Sequence, residues 1–334
     1  MAPNLMIEED RVAMMYVGKP PWHGLGKQLD TPATAAQAIE AAGLDWEVTT
    51  VPVYAVQDRH AALVPDRLAV VRADRWGKPG CPVYGVVGRG YRPLQNSQAF
   101  SFMDSLIGDK AAVYHTAGAL GQGERVWILA KLPDQIRVVA DDLVEKYLLL
   151  STGHDGHTSV QVMMTPIRVV CQNTLTMALA SGSTQLRIAH TRDMPQRLEH
   201  ARAALAHVRL RYAAVQEGFQ RFARVSMKGN RLDSYLRMVF PDPPANAQRR
   251  LGDRVRMDRA GAANRFETGA GNDLAPVRDT LWAAYNGVTD YVDHGRCCYQ
   301  GADRLCSIWF GRGSDIKAKA YDNALLLAQN WTAN

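Results

Sequence analysis

The sequence predicts an α+β protein: a mixed, largely antiparallel sheet with long β-hairpins and flanking helices, then an Arg-rich helical region and a helical C-terminal tail. Strand-like runs rich in β-branched and aromatic residues lie between Gly and Pro in the first half of the chain. From Met194 onward the apolar residues recur with a helical period instead. We therefore expect a β-rich core domain at residues 1–190 and a helical region at residues 191–334.

The composition is that of an ordinary globular protein. The chain has 334 residues, of which 47% are hydrophobic and 22% charged, so disordered, collagen-like and low-complexity classes are excluded. No run reaches the roughly 18 consecutive apolar residues of a membrane-spanning helix, and the first residues lack the layout of a signal peptide. Five scattered Cys, an odd number, argue against a disulfide framework. These observations predict a cytoplasmic protein that does not enter a membrane.

Local signals define the elements of the first 110 residues. Thr31, the Pro after it and an alanine-rich stretch that ends at Gly43 predict a helix. Strand-like runs follow at residues 46–56, 68–72 and 83–87, and a second helix is expected at residues 96–107.

Two β-hairpins are predicted in the middle of the chain, at residues 112–132 and 145–170. The first turns at a Gly-rich segment, and the second turns at His154-Asp-Gly-His157, where Asp-Gly is a strong turn signal. Pro166 lies inside the second arm and therefore predicts an edge position or a bulge. A helix is expected to follow at residues 171–180.

The helical region carries an apolar stripe. Seven apolar residues from Leu198 to Phe222 are spaced by 7, 3, 4, 3, 4 and 3, which is typical of a coiled coil. Packing within the same chain, which we favour, and a seam with a second chain both explain this stripe. Residues 241–262 resemble a linker that leads to another basic helix, and two tail helices are expected at residues 274–291 and 314–327.

The positive charge is concentrated in one segment. The formal net charge is +6, yet residues 187–259 carry 16 Lys or Arg against 7 Asp or Glu, so this segment alone holds +9. Such a distribution is typical of a surface that binds a polyanion, and Arg, the predominant residue here, binds phosphate bidentately. A solvated Arg-rich face that binds nothing explains the same pattern, and both interpretations stay open.

No motif predicts a catalytic or metal site. Three Gly-Xaa-Gly doublets lack the remainder of any nucleotide-binding motif. His294 and the cysteines at 297, 298 and 306 lack the paired spacing of a zinc site. Two His on the His154–His157 turn are more often solvated than catalytic. We therefore expect no catalytic residue, no metal and no cofactor.

Two runs place Arg and amide side chains where a strand gives way to a helix. They are Gly90-Tyr-Arg-Pro-Leu-Gln-Asn96 and Thr165-Pro-Ile-Arg-Val-Val-Cys-Gln-Asn173. Helix N-termini present free N–H groups, and Arg and Asn add donors, so phosphate is a natural ligand. Arg92, Arg168 and Asn173 are accordingly candidate contacts. Capping of a helix by Asn96 or Asn173 is the alternative role.

These runs belong to a longer series of motifs in a fixed order. The series is Pro21-Trp-His-Gly-Leu-Gly26, Ala42-Gly-Leu-Asp-Trp46, Gly90–Asn96, Arg168-Val-Val-Cys-Gln-Asn-Thr174, Gly271-Asn-Asp-Leu274, Thr289-Asp-Tyr-Val-Asp-His294 and Trp309-Phe-Gly311. With it, the chain resembles the phage/plasmid-like protein family built on domain of unknown function nine-three-two, from about residue 10 to residue 328. The family's biochemical role is poorly defined, so the resemblance implies a phage, prophage or plasmid setting, not a reaction.

The order of a helix, long hairpins and a closing helix at residues 97–180 is similar to the core of the Rad-fifty-two superfamily of single-strand annealing proteins. That resemblance implies a homo-oligomer, such as a ring, that holds single-stranded DNA against basic residues beside a β-hairpin. It makes Arg125, Lys131, Lys146 and Arg168 the expected strand-borne contacts to the DNA backbone. Alternation along the strand places Trp127 on the same face as Arg125 and Lys131, so a base is expected to stack there.

We therefore expect a non-enzymatic single-stranded DNA-binding and annealing protein that acts in recombination. The alternative is a phage or plasmid effector that binds a host protein through its helical region, since the apolar stripe suits a partner helix. A third hypothesis is an enzyme with a site around His154, Asp155, His157 and Arg168.

Overall fold

A computed structural model describes residues 5–18, 25–31, 33–107, 113–168, 185–205, 208–246, 248–296, 307–309 and 311–331. The chain divides into two compact units. Unit 1 comprises Met1–Pro133, Leu148–Met163 and Gln185–His207, and unit 2 comprises Asp134–Tyr147, Met164–Thr184 and Val208–Asn334. The division is discontinuous in sequence, whereas the change in periodicity suggests a single boundary at residue 190.

The described residues form thirteen strands in three sheets. The strands are β1 (Ile7–Glu8), β2 (Arg11–Val12), β3 (Met14–Val17), β4 (Lys27–Leu29), β5 (Val48–Gln57), β6 (His60–Arg72), β7 (Val83–Gly88), β8 (Val113–Leu120), β9 (Arg125–Val139), β10 (Asp142–Gly153), β11 (Val160–Met164), β12 (Ile167–Arg168) and β13 (Gln185–Ile188). The largest sheet has the order β13-β11-β10-β9-β8-β3-β4, with β12 also paired to β10. A second sheet has the order β5-β6-β7, and β1 pairs with β2.

The described helices lie mostly in the second half of the chain. They are α1 (Ala35–Ala42), α2 (Asn96–Ile107), α3 (Met194–Leu205), α4 (Val208–Arg224), α5 (Arg231–Val239), α6 (Arg249–Thr268), α7 (Leu281–Asp290) and α8 (Arg312–Trp331). None of these described helices combines the length and the apolar composition needed to cross a bilayer. Antiparallel hairpins followed by a helical C-terminal region confirm the predicted α+β class.

α1 ends at Gly43 as predicted, but Thr34 caps its N-terminus where the sequence suggests Thr31. Thr34 Oγ1 accepts a hydrogen bond from the Gln37 N–H, and Gln37 Oε1 accepts one from the Thr34 N–H. This reciprocal capping box satisfies two N–H groups at once, which Thr31 cannot do from its position. Gly43 adopts a φ of 64°, a left-handed conformation that suits Gly after a helix.

Both predicted hairpins are present. β8 pairs with β9 from Leu120 opposite Arg125 to Val113 opposite Lys131, and β10 neighbours β11 in the same sheet. The second arm breaks at residues 165–166, after which β12 pairs back on β10. Pro166 has no N–H to donate to a ladder, so the strand is irregular where the Pro predicts it.

β9 and β10 are longer than predicted and form an additional hairpin between them. β9 continues past Pro133 to Val139, and β10 begins at Asp142. The sequence prediction ends the strand at residue 132, but it continues through Pro133 and Asp134, two residue types that favour turns. Asp134 adopts a left-handed backbone conformation with a φ of 67°. From this residue onward β9 belongs to unit 2.

An aromatic cluster forms the core of unit 2. The ring centroid of Phe219 lies 4.6 Å from that of Trp282, and Phe222 lies 5.9 Å from Tyr285 and 5.6 Å from Tyr321. All five side chains are buried. Phe219 and Phe222 belong to the apolar stripe of α4, so this part of the stripe packs within the chain, the interpretation favoured above.

The C-terminal region departs from the prediction in three places. α6 begins at Arg249, inside the segment predicted to be a linker, and α5 has no counterpart in the prediction. α7 begins at Leu281, not at residue 274, because Thr280 caps it by accepting a hydrogen bond from the Ala283 N–H (3.2 Å). The helix predicted at residues 171–180 lies outside the described residues.

Candidate functional site

One aspartate holds the turn between β10 and β11. Asp155 Oδ1 accepts hydrogen bonds from the N–H groups of His157 (2.9 Å) and Thr158 (2.7 Å), and Oδ2 accepts one from Thr158 Oγ1 (2.7 Å). Burial acts to raise the pKa of Asp155, but these hydrogen bonds outweigh it and leave the pKa below its usual value. The carboxylate is therefore ionised, and both of its oxygens serve the turn.

His154 precedes this turn and is fully buried. Its Nε2 lies 3.3 Å from Asn96 Oδ1. The Asn96 amide is oriented by its Nδ2, which donates to the carbonyls of Leu44 (3.1 Å) and Trp46 (3.3 Å). This orientation assigns the His154 N–H to Nε2. Burial lowers the pKa of His154 to about 3, so the ring is neutral at physiological pH.

The amides of the Gly90–Asn96 run bind protein backbone. Gln95 Nε2 donates to the Val48 carbonyl, and Gln95 Oε1 accepts from the Val48 N–H, both at 2.9 Å. With the two bonds from Asn96, these contacts fasten the start of α2 to the segment that joins α1 to β5. They explain why the motifs at residues 42–46 and 90–96 occur together. Arg92 is the exposed side chain that the run leaves for a ligand, because Tyr91 is buried and its hydroxyl donates to the Gly153 carbonyl (3.3 Å).

His190 belongs to the same cluster, although the sequence analysis does not single it out. Its Nδ1 lies 3.1 Å from the Arg92 carbonyl oxygen, and its own carbonyl accepts the Arg92 N–H (2.9 Å). Its Nε2 lies 3.4 Å from Thr152 Oγ1, and its ring lies 5.1 Å from that of Tyr91. Burial lowers the pKa of His190. The sequence gives one signal that His190 could belong to a site, which is its position just after a short strand.

A surface cavity of about 670 Å³ opens beside this cluster, within unit 1. Its walls come from β6, β7, the start of the Gly90–Asn96 run, the β10–β11 turn and the loop after β13. The residues that line it are Arg67, Val86, Val87, Gly88, Gly90, Tyr91, Gly156, His157, His190, Thr191, Arg192 and Asp193. The fold thus joins two stretches that the sequence analysis singles out separately, the Gly90–Asn96 run and the His154–His157 turn.

The cavity carries two arginines without an acidic partner among the described residues. Arg67 and Arg192 are exposed, and neither forms an ion pair with a described carboxylate. Asp193, the acid in the lining, is held by Arg197 at 3.4 Å and by the Thr191 hydroxyl. The cavity is therefore positively charged, with hydrogen-bond donors left for an anion.

Two predicted DNA contacts lie close to this cavity. Arg92 is exposed, and its Nη1 donates to the carbonyls of Tyr91 (3.0 Å) and Arg89 (3.4 Å), so its guanidinium is held near the cavity wall. Arg125 is half-buried, and its Nη2 donates to Thr158 Oγ1 (2.9 Å) beside the β10–β11 turn. The guanidinium of Arg92 leaves further donors for a phosphate.

Trp127 offers no stacking surface, which corrects the expectation from strand alternation. Its side chain is 1% exposed, and the indole lies over Gly118, its partner on β8, so closely that a Cβ there would stand 2.3 Å from a ring carbon. The centre of β9 is buried on both faces, so alternation does not bring Trp127 to the surface. Lys131, at the end of this buried stretch, is half-buried.

Arg168 does not lie on a surface either. It is 0% exposed within unit 2, where its Nε and Nη2 donate to Asp142 at 2.9 and 2.7 Å. Its Nη1 donates to Asn272 Oδ1 (2.9 Å), and its Nη2 also donates to the Gly271 carbonyl (3.0 Å). Trp282 Nε1 donates to the same carboxylate (2.7 Å). Arg168 is therefore part of the core of unit 2. Through its hydrogen bonds to Gly271 and Asn272 it connects the motif that begins at residue 168 with the motif at residues 271–274.

Of the two remaining predicted contacts, Lys146 is not among the residues that line the cavity. Lys146 is half-buried in unit 2, where its Nζ lies 5.9 Å from the centre of the Tyr212 ring. Asn173 lies outside the described residues.

Buried ion pairs in unit 2 account for the motif at residues 289–294. Lys317 Nζ lies 2.8 Å from Asp293 in the protein interior, and Arg265 lies 3.6 Å from Asp290. Burial lowers the pKa of Lys317 and raises that of Asp290. His294 is exposed, and the cysteines at 297, 298 and 306 lie outside the described residues. Among the side chains that are described, no group of three His, Cys, Asp or Glu is placed to hold a metal ion.

Much of the Arg-rich segment is neutralised locally. Ion pairs on its surface, among the described residues, include Arg197–Asp193, Arg221–Glu217, Arg237–Asp233, Arg256–Asp253 and Arg259–Asp242. Each pair cancels part of the field that the +9 net charge suggests. Arg249 and Arg250, in the first turn of α6, are exposed and form no ion pair with a described acid. The segment is thus a weaker anion site than its composition implies.

The fold and the cavity define an α+β protein with a cationic surface site. The family model described as domain of unknown function (DUF932) matches residues 83–324, which is more than half of the chain. The chain therefore belongs to the DUF932 family. No curated protein and no solved structure matches it.

Proposed function

We propose that this protein binds single-stranded DNA without catalysing a reaction, and that the cavity of unit 1 holds the strand. The observation that carries the proposal is the pair Arg67 and Arg192, two exposed guanidiniums at one cavity without acidic partners among the described residues. The proposal includes an annealing role in recombination for a phage or plasmid, a homo-oligomeric assembly and a cytoplasmic location.

The chemistry of the cavity suits a phosphate backbone. A guanidinium presents several N–H donors in one plane and binds phosphate oxygens bidentately. Arg92, close to the same wall, adds a third guanidinium, and the exposed His157 adds a ring N–H. Phosphate contacts of this kind supply most of the affinity of proteins that bind nucleic acid without sequence preference.

The apolar part of the cavity favours a single strand over a duplex. Val86, which is 51% exposed, is the open apolar side chain there, whereas Val87 and Tyr91, which also line the cavity, are only 5% and 8% exposed. An apolar surface gains by contact with the faces of bases, and those faces are accessible in a single strand but stacked in a duplex. Exposed arginines beside the open side chain of Val86 therefore favour a single strand over a duplex.

The alternatives receive no comparable support from the described residues. A partner helix would present Tyr212, Val215 and Phe219 of α4 to a host protein, but all three are buried in unit 2. For an enzyme, His154 has a pKa of about 3 and Asp155 uses both carboxylate oxygens in its turn, so neither is suited to transfer protons at neutral pH.

Fluorescence anisotropy of a labelled single-stranded oligonucleotide, with a duplex of the same length as a control, tests the proposal. We expect the protein to prefer the single strand and Arg67→Ala/Arg192→Ala to bind it roughly tenfold or more weakly. The matched control is Arg137→Ala/Arg221→Ala, which removes the same total charge from the surface of unit 2. There Arg137 forms an exposed ion pair with Asp141, and Arg221 forms one with Glu217. Equal losses in the two double variants, or no binding at low salt, would show that the cavity is not the site.

A further inference from the structure

The β5–β6 hairpin extends well beyond the sheet to which it belongs. β7 pairs with β6 only between Arg67 and Val71, so among the described residues the remainder of the hairpin has two strands and no third. This β-arm, residues 53–64, ends in a two-residue turn at Asp58 and Arg59, with Gln57 paired to His60. Most of its side chains are exposed, on both faces.

One face of the β-arm is apolar and open. Tyr54 pairs with Leu63, and Val56 pairs with Ala61, so these four side chains share a face. Tyr54 is 57% exposed, Leu63 54% and Val56 70%. Large apolar side chains clustered on a two-stranded arm are costly in water, and such an arm is marginally stable without further packing.

The outer edge of the β-arm pairs with no strand in the part of the chain that the structure describes. β5 is the edge strand of its sheet, and its ten residues, Val48–Gln57, include no charged side chain. Proteins usually protect an exposed edge with charges, because its unpaired N–H and C=O groups otherwise recruit another strand. The residues that flank a two-residue turn form a hydrogen-bonded pair, and pairs then alternate along the hairpin. Tyr54 and Val56 accordingly direct their N–H and C=O groups outward.

These features select a second copy of the chain as the partner. The strands of the β-arm carry no Lys or Arg, so they do not suit a nucleic acid. The uncharged edge of β5 can pair with the same edge of a second copy without repulsion. The charged residues within or next to the β-arm lie at its two ends, with one acidic and one basic residue at each: Asp58 and Arg59 at the tip, Asp66 and Arg67 at the base. Antiparallel pairing about a two-fold axis places tip beside base, so no net charge faces another.

We propose that two copies associate through antiparallel pairing of their β5 edges, with Ala55 opposite Ala55 of the second copy. In this register Tyr54 lies beside Val56 of the other chain as a hydrogen-bonded pair, and the two apolar faces become one continuous face across four strands. Pro52, which has no N–H, ends the ladder. The contact is isologous and closes as a dimer, from which larger assemblies can be built by other surfaces.

Sedimentation velocity over a range of protein concentrations tests this interface. We expect the unmodified chain to dimerise and Tyr54→Lys/Val56→Lys to raise the dimer dissociation constant at least about tenfold, with an unchanged circular dichroism spectrum because both positions are exposed. The matched control is Val83→Lys, which places a charge at a 59% exposed position on β7, the opposite edge strand of the same sheet. A monomer at every concentration, a dimer that survives the double substitution, or a dimer lost only in the control overturns the proposal.

A disulfide then tests the register. Ala55→Cys brings two thiols across the two-fold axis as a non-hydrogen-bonded pair, the spacing at which a disulfide forms readily. Under mild oxidation we expect a covalent dimer that is absent from the unmodified chain with its native cysteines. Ala62→Cys, on the inner strand opposite Ala55, is expected to stay monomeric on a denaturing gel. Equal cross-linking of the two variants contradicts the pairing of β5 with β5. Neither experiment uses DNA, so its outcome is independent of the DNA-binding cavity proposed above and tests only how two copies associate.

Discussion

Arg168 and Asp142 form a fully buried ion pair in unit 2, with 2.7 Å between Arg168 Nη2 and Asp142 Oδ2. The two residues lie 26 positions apart in the chain and meet where β12 pairs back on β10. Arg168 also donates to Asn272 Oδ1 and to the Gly271 carbonyl. Asp142 also accepts a hydrogen bond from Trp282 Nε1. A residue that the sequence presents as a DNA contact is therefore the centre of a polar core.

Replacing Arg168 tests this structural role. Arg168→Ala leaves the Asp142 carboxylate buried without its partner, so we expect the free energy of unfolding to fall by about 3–5 kcal/mol in urea titrations. Arg137→Ala, which breaks an exposed pair with Asp141, is expected to change it by less than about 1 kcal/mol. A loss below about 1 kcal/mol for Arg168→Ala would mean that the network does not stabilise unit 2.

His154 predicts a loss of stability in mild acid. Its pKa is about 3 in the folded state because of burial, and about 6.5 in an unfolded chain. Below pH 6.5 the unfolded state therefore binds a proton that the folded state does not, and stability falls as the pH falls toward 3, by about 1.4 kcal/mol per pH unit from this residue. The lowered pKa of the neighbouring His190 acts in the same direction.

Unfolding of the unmodified chain and of His154→Gln at pH 7, 6 and 5 isolates this contribution, because the other ionisable groups are common to both. We expect the stability of the variant to depend less steeply on pH, by about 1.4 kcal/mol per unit below pH 6. Parallel pH profiles would indicate that His154 accepts a proton in the folded protein.

The cap of α1 supplies a prediction with an internal control. Thr34→Ala removes the side-chain oxygen that accepts the Gln37 N–H, so we expect it to lower the free energy of unfolding by about 1 kcal/mol. Thr31→Ala, three residues earlier, is expected to have no measurable effect. Thermal or urea unfolding of the two variants compares them directly, and a larger effect at Thr31 would reverse the assignment of the cap.

Local signals in the sequence were sufficient for elements whose causes are local. Gly43 stops α1, Asp-Gly turns the β10–β11 hairpin, and the spacing of Phe219 and Phe222 marks the buried face of α4. The end predicted for β9 at residue 132 is wrong, because the strand continues past Pro133 to Val139 as part of the sheet. Pairing with the neighbouring strands decides where β9 ends, and the local sequence does not contain that information.

The candidate site could be predicted only in part, because its pieces come from distant parts of the chain. The Gly90–Asn96 run and the His154–His157 turn are visible in the sequence, but nothing there indicates that they share a cavity with Arg67 and Arg192. Strand alternation also fails for Trp127, because the centre of β9 is covered on both faces. Burial depends on what packs against a strand, and periodicity does not contain that information.

The salt dependence of DNA binding tests the central claim most directly. The dissociation constant for a single strand should be measured at several salt concentrations for the unmodified chain, for Arg67→Ala/Arg192→Ala and for Arg137→Ala/Arg221→Ala. Each phosphate contact to single-stranded DNA contributes about 0.7 to the slope of log affinity against log salt. We predict that the slope of the cavity variant is smaller by about 1.4 and that the control keeps the slope of the unmodified chain. Identical slopes for all three proteins would contradict the account, because the strand would then not contact the cavity.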